Sequence, residues 1–198
     1  MKRRRLVLAS SSSYRRGLLG RLGVPFDVIV PDIDESATSH ERPAATAIRL
    51  AEAKARAAGR RSGDALVIGS DQVADCDGVA VSKPADHADA ARMLAALSGR
   101  TIVFHTAIAL LDASSGHLQA DCVDVASTFR TLSPAQIEAY LAREKPYDCA
   151  GAVKSEALGI ALFERIASDD PTALIGLPLI ALTRMLRNAG YDVLDPLT

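Results

Sequence analysis

The feature that most constrains this chain is a repeated switch between short apolar runs and amphipathic stretches. Leu6-Val-Leu-Ala9 reads as a short buried strand that runs into serines, and residues 14–22 continue as an amphipathic helix stopped by Gly23. Residues 26–30 form a second strand, ended by Pro31. A polar loop through Pro43 then carries Asp32, Asp34 and Glu35. An alanine-rich helix over about residues 44–61 places Glu52 and Arg56 at i,i+4 spacing. The strand 66–71 stops on small and acidic residues, and the helix 86–97 ends at Ser98-Gly99. Strands 101–111 and 117–129 flank Ala113-Ser-Ser-Gly116, a hairpin turn. Ser133 caps and Pro134 opens a helix to Glu144, and a strand 159–166 and a helix 178–188 close the chain. Strands and helices alternate except at one long hairpin, which predicts an α/β fold with a mixed β-sheet flanked by helices.

The 198 residues suit one domain over 1–198, or two lobes sharing a core. With 48% apolar and 24% charged residues and a net charge of −1, no whole-molecule field draws the chain to nucleic acid or anionic lipid. The basic start, Lys2 to Arg5, precedes an apolar run too short for a signal-peptide core, so it reads as a solvated tail. No segment has the apolar length of a membrane span. Cys76, Cys122 and Cys149 are odd in number and form no C-x-x-C pair, which argues against a disulfide framework and a structural zinc site and favours reducing cytoplasm. His40, His87, His105 and His117 fall in no metal-binding pattern and read as surface or strand histidines.

Three segments carry candidate chemistry. Ala9-Ser-Ser-Ser-Ser-Tyr-Arg-Arg16 joins free amides at a helix start to hydroxyls and two arginines, a ready anion site, although serine caps with surface arginines behind them give the same pattern. Gly69-Ser-Asp71-Gln72, with Lys83-Pro84 further on, sets an aspartate at a strand end, either as a magnesium ligand or proton acceptor, or as the cap of a turn. The acidic loop Asp32-Ile-Asp34-Glu35 offers carboxylates to a cation shared with phosphates, or lies solvated. Acidic residues on two loops, basic residues on others and no nucleophile–histidine pattern favour phosphoryl chemistry over acyl transfer.

Together these residues resemble the Maf family over almost the whole chain. The likeness rests on Ala9 to Arg16, Asp34-Glu35, Leu50-Ala-x-x-Lys54, Ile68-Gly-Ser-Asp71-Gln72, Lys83-Pro84 and Leu97-Ser-Gly99 with the strand to Thr106. It continues in Ala150-Gly-Ala-x-Lys154-Ser-Glu156 and Ile175-Gly-Leu-Pro178. The stretch from Cys149 to Arg165 is most similar to the branch that hydrolyses 7-methyl-GTP. Ser13 stands where the family usually has proline, and Ser82 where it usually has glycine.

The resemblance implies an elongated fold related to the inosine-triphosphate pyrophosphatases, with a central cleft, a divalent cation (Mg²⁺ or Mn²⁺) and a homodimer. It implies release of pyrophosphate from a nucleoside triphosphate, with Asp71 as proton acceptor. Carried over, Ser10, Arg15, Lys54 and Lys83 bind phosphate, Glu35 and Asp71 hold the metal, and Tyr14, Gln72 and Glu156 set base specificity. A cationic 7-methylguanine would stack on Tyr14, and the Glu156 carboxylate would accept from its N–H edge. Two alternatives stand beside this reading: dTTP or UTP as substrate, and a nucleotide-binding regulator of septum formation.

Overall fold

The computed structural model describes residues 4–36, 38 and 40–195. Its strands are Arg5–Ala9 (β1), Asp27–Val28 (β2), Ala65–Cys76 (β3), Val79–Val81 (β4), Thr101–Asp112 (β5), Leu118–Phe129 (β6) and Phe163–Ala167 (β7). They form one sheet in the order β2-β1-β3-β5-β6-β7, with β4 added beside β3. β1 runs parallel to β2 and β3, and the remaining pairs are antiparallel. The helices are Ser13–Gly20 (α1), Pro43–Gly59 (α2), His87–Leu97 (α3), Pro134–Glu144 (α4) and Leu179–Asn188 (α5). The mixed sheet flanked by helices is the architecture that the alternation predicts.

Side chains alternate between the two faces of each strand, and this sorts the core. On one face Ala47, Ala51, Ala55 and Ala58 of α2 cover Val67, Ala107, Ala109 and Leu111. The small side chains let helix and sheet approach closely; a Cβ on Gly69 would lie 2.1 Å from the Ala51 carbonyl oxygen. The opposite face carries two clusters. Leu66, Ile68, Ile108 and Leu110 pack with α1 and α5. Ala74, Ile102, Phe104, Val125 and Phe129 pack with α3 and α4. A polar step of Ser70, Gln72 and Thr106 separates them, and the 3₁₀ turn Ala173–Ile175 lies across it. The two clusters thus share the same long strands.

Several expectations are corrected. β3 does not stop at Asp71, nor does Asp71 cap a turn: the strand continues to Cys76, and Asp71 pairs with Ala107 in mid-ladder. The small and acidic residues fit there because β1 leaves β3 at the Ala9–Gly69 pair and β4 joins only at Val81–Ala74. Residues 70–73 therefore have strand pairing on one side only among the described residues, and their other edge is open. β4 is absent from the sequence expectations, although Asp77-Gly78 is the two-residue turn that marks a hairpin; both residues have positive φ, 54° and 84°, as a type I′ turn requires.

The second strand shrinks from 26–30 to two residues, and the first helix ends at Gly20, not at 22. Leu158–Leu162 is a 3₁₀ segment and not the start of a strand, because Gly159 folds its amide back to the Lys154 carbonyl. Nor do Arg4 and Arg5 form a solvated tail. Arg4 donates to Asp112 at 2.7 Å and to Asp64, and Arg5 opens β1 and pairs with Asp27. Lys2 and Arg3 lie outside the described residues. Ser133 caps α4 as expected and completes a capping box with Gln136.

Candidate active site

The open edge of β3 forms the floor of a cleft of about 580 Å³. α1 begins where β1 ends, so the β1–α1 loop forms one wall at the carboxyl end of a parallel strand, the usual place for a ligand in open α/β sheets. β4 and the segment after it form the opposite wall, and α2 lies along one side. All nine residues singled out in the sequence line this one cleft: Ser10, Tyr14, Arg15, Glu35, Lys54, Asp71, Gln72, Lys83 and Glu156.

Lys54 projects from α2 and is 5% exposed. Its Nζ donates to Asp71 Oδ1 at 2.6 Å and meets Glu35 Oε1 at 2.9 Å. This ion triad joins the acidic loop, α2 and β3. The second oxygen of each carboxylate accepts no side-chain bond among the described residues. Arg15 sits in the first turn of α1, where the Ser12 hydroxyl accepts from its backbone amide. Its Nε donates to the Gly176 carbonyl at 2.8 Å. Burial lowers the Arg15 pKa, while the charges of Asp71 and Glu35 act in the opposite direction. Ser10 is buried beside it and accepts from the Ser12 amide. Lys83 is exposed on the far wall and makes no ion pair among the described residues.

Tyr14, partly buried, and Glu156, exposed, also line the cleft. Burial raises the Tyr14 pKa, reinforced by Cys149 and opposed by the Lys154 ammonium that its hydroxyl meets. Gln72 has a different use. Its Nε2 donates to Thr106 Oγ1 and to the Ala173 and Leu174 carbonyls at 2.9–3.0 Å, so its amide is already occupied in holding the crossing turn. Only its acceptor oxygen remains for a ligand. Cys149 also lines the cleft, and burial, reinforced by Asp148, pushes its thiol up to about 12.

Sequence reasoning missed the groups that hold this arrangement in place. Ser70 donates to the Ala107 and Gly176 carbonyls, so one backbone oxygen, Gly176, receives both Ser70 and Arg15. Gly176 has φ 116°, which only glycine adopts readily. It stood within a quoted motif, but nothing in its type announced a carbonyl acceptor. Asp34 is not among the residues that line the cleft, and its carboxylate accepts from the Ser36 amide.

A family model described as Maf-like protein matches residues 5–189. The chain belongs to the Maf family. Its relatives in that family include proteins named 7-methyl-GTP pyrophosphatase. One from Burkholderia pseudomallei (strain 1710b) is 58% identical over 96% of this chain and 89% of its own length. One from Cupriavidus metallidurans is 56% identical over 94% of each, and one from Paraburkholderia xenovorans is 58% identical over 96% and 94%. Among solved structures, a HAM1 protein from Coxiella burnetii is similar with a TM-score of 0.44 and 22% identity. That likeness covers 64% of this chain and 73% of the other, too loose to bear on function. Within the Maf fold seen here, the described residues include no helix long and apolar enough to cross a membrane.

Proposed function

We propose that this Maf protein is a hydrolase of acid anhydrides that splits 7-methyl-GTP into 7-methyl-GMP and pyrophosphate. The observation that carries this reading is the convergence of Arg15, Lys54 and Lys83 with Asp71 and Glu35 in a single cleft that Tyr14 and Glu156 also line. The names of the relatives support 7-methyl-GTP as the substrate over dTTP or UTP.

A triphosphate laid along the cleft meets the cationic groups, with the base against Tyr14 and Glu156. Asp71 takes the proton of a water whose oxygen bonds to the α-phosphorus, and the bond from that phosphorus to the bridging oxygen breaks. Pyrophosphate leaves with the electron pair, its charge offset by Arg15, Lys54 and Lys83. Lys54 also fixes the direction of the Asp71 carboxylate through the 2.6 Å bond. The donor set suits a divalent ion. Glu35 and Asp71 each keep one oxygen uncommitted, and hard ions such as Mg²⁺ take one or two carboxylates together with substrate phosphates. When bound, such an ion supplies Lewis-acid stabilisation of phosphate charge.

The reading treats residues 1–198 as one catalytic unit of two lobes, acting as a homodimer in the cytoplasm. The family resemblance supports the homodimer and the three free cysteines support a reducing cytoplasm, and size-exclusion chromatography and cell fractionation test them. The central test is product analysis with 7-methyl-GTP and Mg²⁺. Pyrophosphate and 7-methyl-GMP are expected, and a loss of about 10²–10⁴-fold in kcat for Asp71→Asn. Orthophosphate as product, or full activity in Asp71→Asn, overturns the reading.

A further inference from the structure

We propose that His105, Cys122 and Asp124 form a separate binding site for a transition-metal ion of the Zn²⁺ class, on the sheet face beyond the N-terminal end of α2. His105 on β5 pairs in register with Asp124 on β6, and Cys122 lies two residues along β6 on the same face. The His105 Nδ1 atom is 2.6 Å from Asp124 Oδ1. One imidazole nitrogen, one sulfur and one carboxylate oxygen from the three residues all lie within 4.8 Å of one another.

A fourth residue prepares the ligand. Asp75 on β3 places Oδ2 3.3 Å from His105 Nε2, on the far side of the ring from Asp124. Asp75 is itself anchored, its Oδ1 accepting from the Gly78 amide at 2.6 Å in the tight turn before β4. A carboxylate holding the remote ring nitrogen fixes the tautomer that leaves the other nitrogen to ligate, the arrangement common around zinc-bound histidines. The His105 side chain is 12% exposed and that of Asp124 63%, so the ring is held while an ion can enter past Asp124.

The donor set decides the class of ion. Nitrogen, sulfur and a single oxygen suit Zn²⁺, Co²⁺ or Ni²⁺, whereas Mg²⁺ takes oxygen ligands. A neutral imidazole, a thiolate and a carboxylate cancel the charge of a dication. A histidine merely clamped between two carboxylates would need no thiol beside it. The site is also independent of the cleft chemistry, since neither Glu35 nor Asp71 takes part.

Titration of the metal-free full-length chain with Co²⁺ tests this. One equivalent is expected to bind with a thiolate-to-cobalt charge-transfer band in the near ultraviolet. The band is expected to vanish in Cys122→Ser and to persist in Cys149→Ser and in Asp71→Asn. Asp75→Asn is expected to weaken binding by about 10–100-fold while leaving the band in place. Asp124→Asn, at an exposed position that does not threaten folding, is expected to weaken it at least tenfold. No charge-transfer band, a band that survives Cys122→Ser, or one lost in Cys149→Ser or Asp71→Asn would each overturn the proposal.

Discussion

Lys54 lies almost wholly out of water, yet it is flanked by two carboxylates and faces a cleft suited to polyanions. Replacing it with methionine keeps the bulk and removes the cation that bridges Glu35 and Asp71. Removal of one preorganised charge of this kind costs about 10²–10³-fold in turnover, to be read as pyrophosphate release by Lys54→Met. Tyr14 acts on selectivity. Loss of a cation–π contact of about 0.5–2 kcal/mol is a roughly 2- to 30-fold effect, so Tyr14→Ala should lower the 7-methyl-GTP over GTP ratio of kcat/KM by that factor. Tyr14→Phe keeps the ring and should keep most of the ratio. Arg15, Glu35, Asp71 and Lys83 were legible in the sequence because phosphate chemistry needs those side-chain types, whereas Lys54 and Glu156 entered only through the family resemblance. Gly176 was not legible as an acceptor, because every residue carries a carbonyl and only the fold selects which one Arg15 meets. Gln72 was legible as a site residue but not as a tie for the crossing turn.

Among the elements, α2 and β3 approach closely, and Gly69 makes this possible. A methyl there would meet backbone, the Ala51 carbonyl, which cannot rotate away. Overpacking of cores costs about 1–3 kcal/mol, and Gly69→Ala should fall at the upper end in urea denaturation, with activity lost as α2 carries Lys54 outward. The loop before α2 is tied by Glu41, which accepts from Arg49 at 2.8 Å and from Thr46. The Arg49 guanidinium, chiefly, holds the Glu41 carboxyl down at about 2 against an ordinary 4.5. A depressed carboxylate contributes stability that is present above pH 4.5 and lost as pH falls toward 2. Arg49→Met should therefore flatten the loss of the urea midpoint between those two pH values. Element type was legible for every α-helix, since caps and periodicity are local. The length of β3 was not, because its course beyond Asp71 is decided by where β1 and β4 stop, and strand neighbours are not local information.

Across the whole molecule, the two core clusters on the face opposite α2 meet at the polar step and share β3 and β5, and residues packed in each line the cleft. A non-hydrolysable 7-methyl-GTP analogue with Mg²⁺ at 100 times its Kd should stabilise the fold by about 2.7 kcal/mol, visible as a rise in Tm. The same analogue should give a much smaller rise in Lys54→Met. The interruption along β3 also bears on how the protein keeps to itself in a crowded solution. Bare main-chain donors and acceptors invite foreign strands to add on and seed aggregates. Here the bare stretch is four residues, roughly 13 Å, and is closed at one end by β1 and at the other by β4. An intruding chain finds too short a rung to pair with and no room to extend past either end, whereas a small anionic guest fits, so the protein can leave these groups unpaired without inviting self-association.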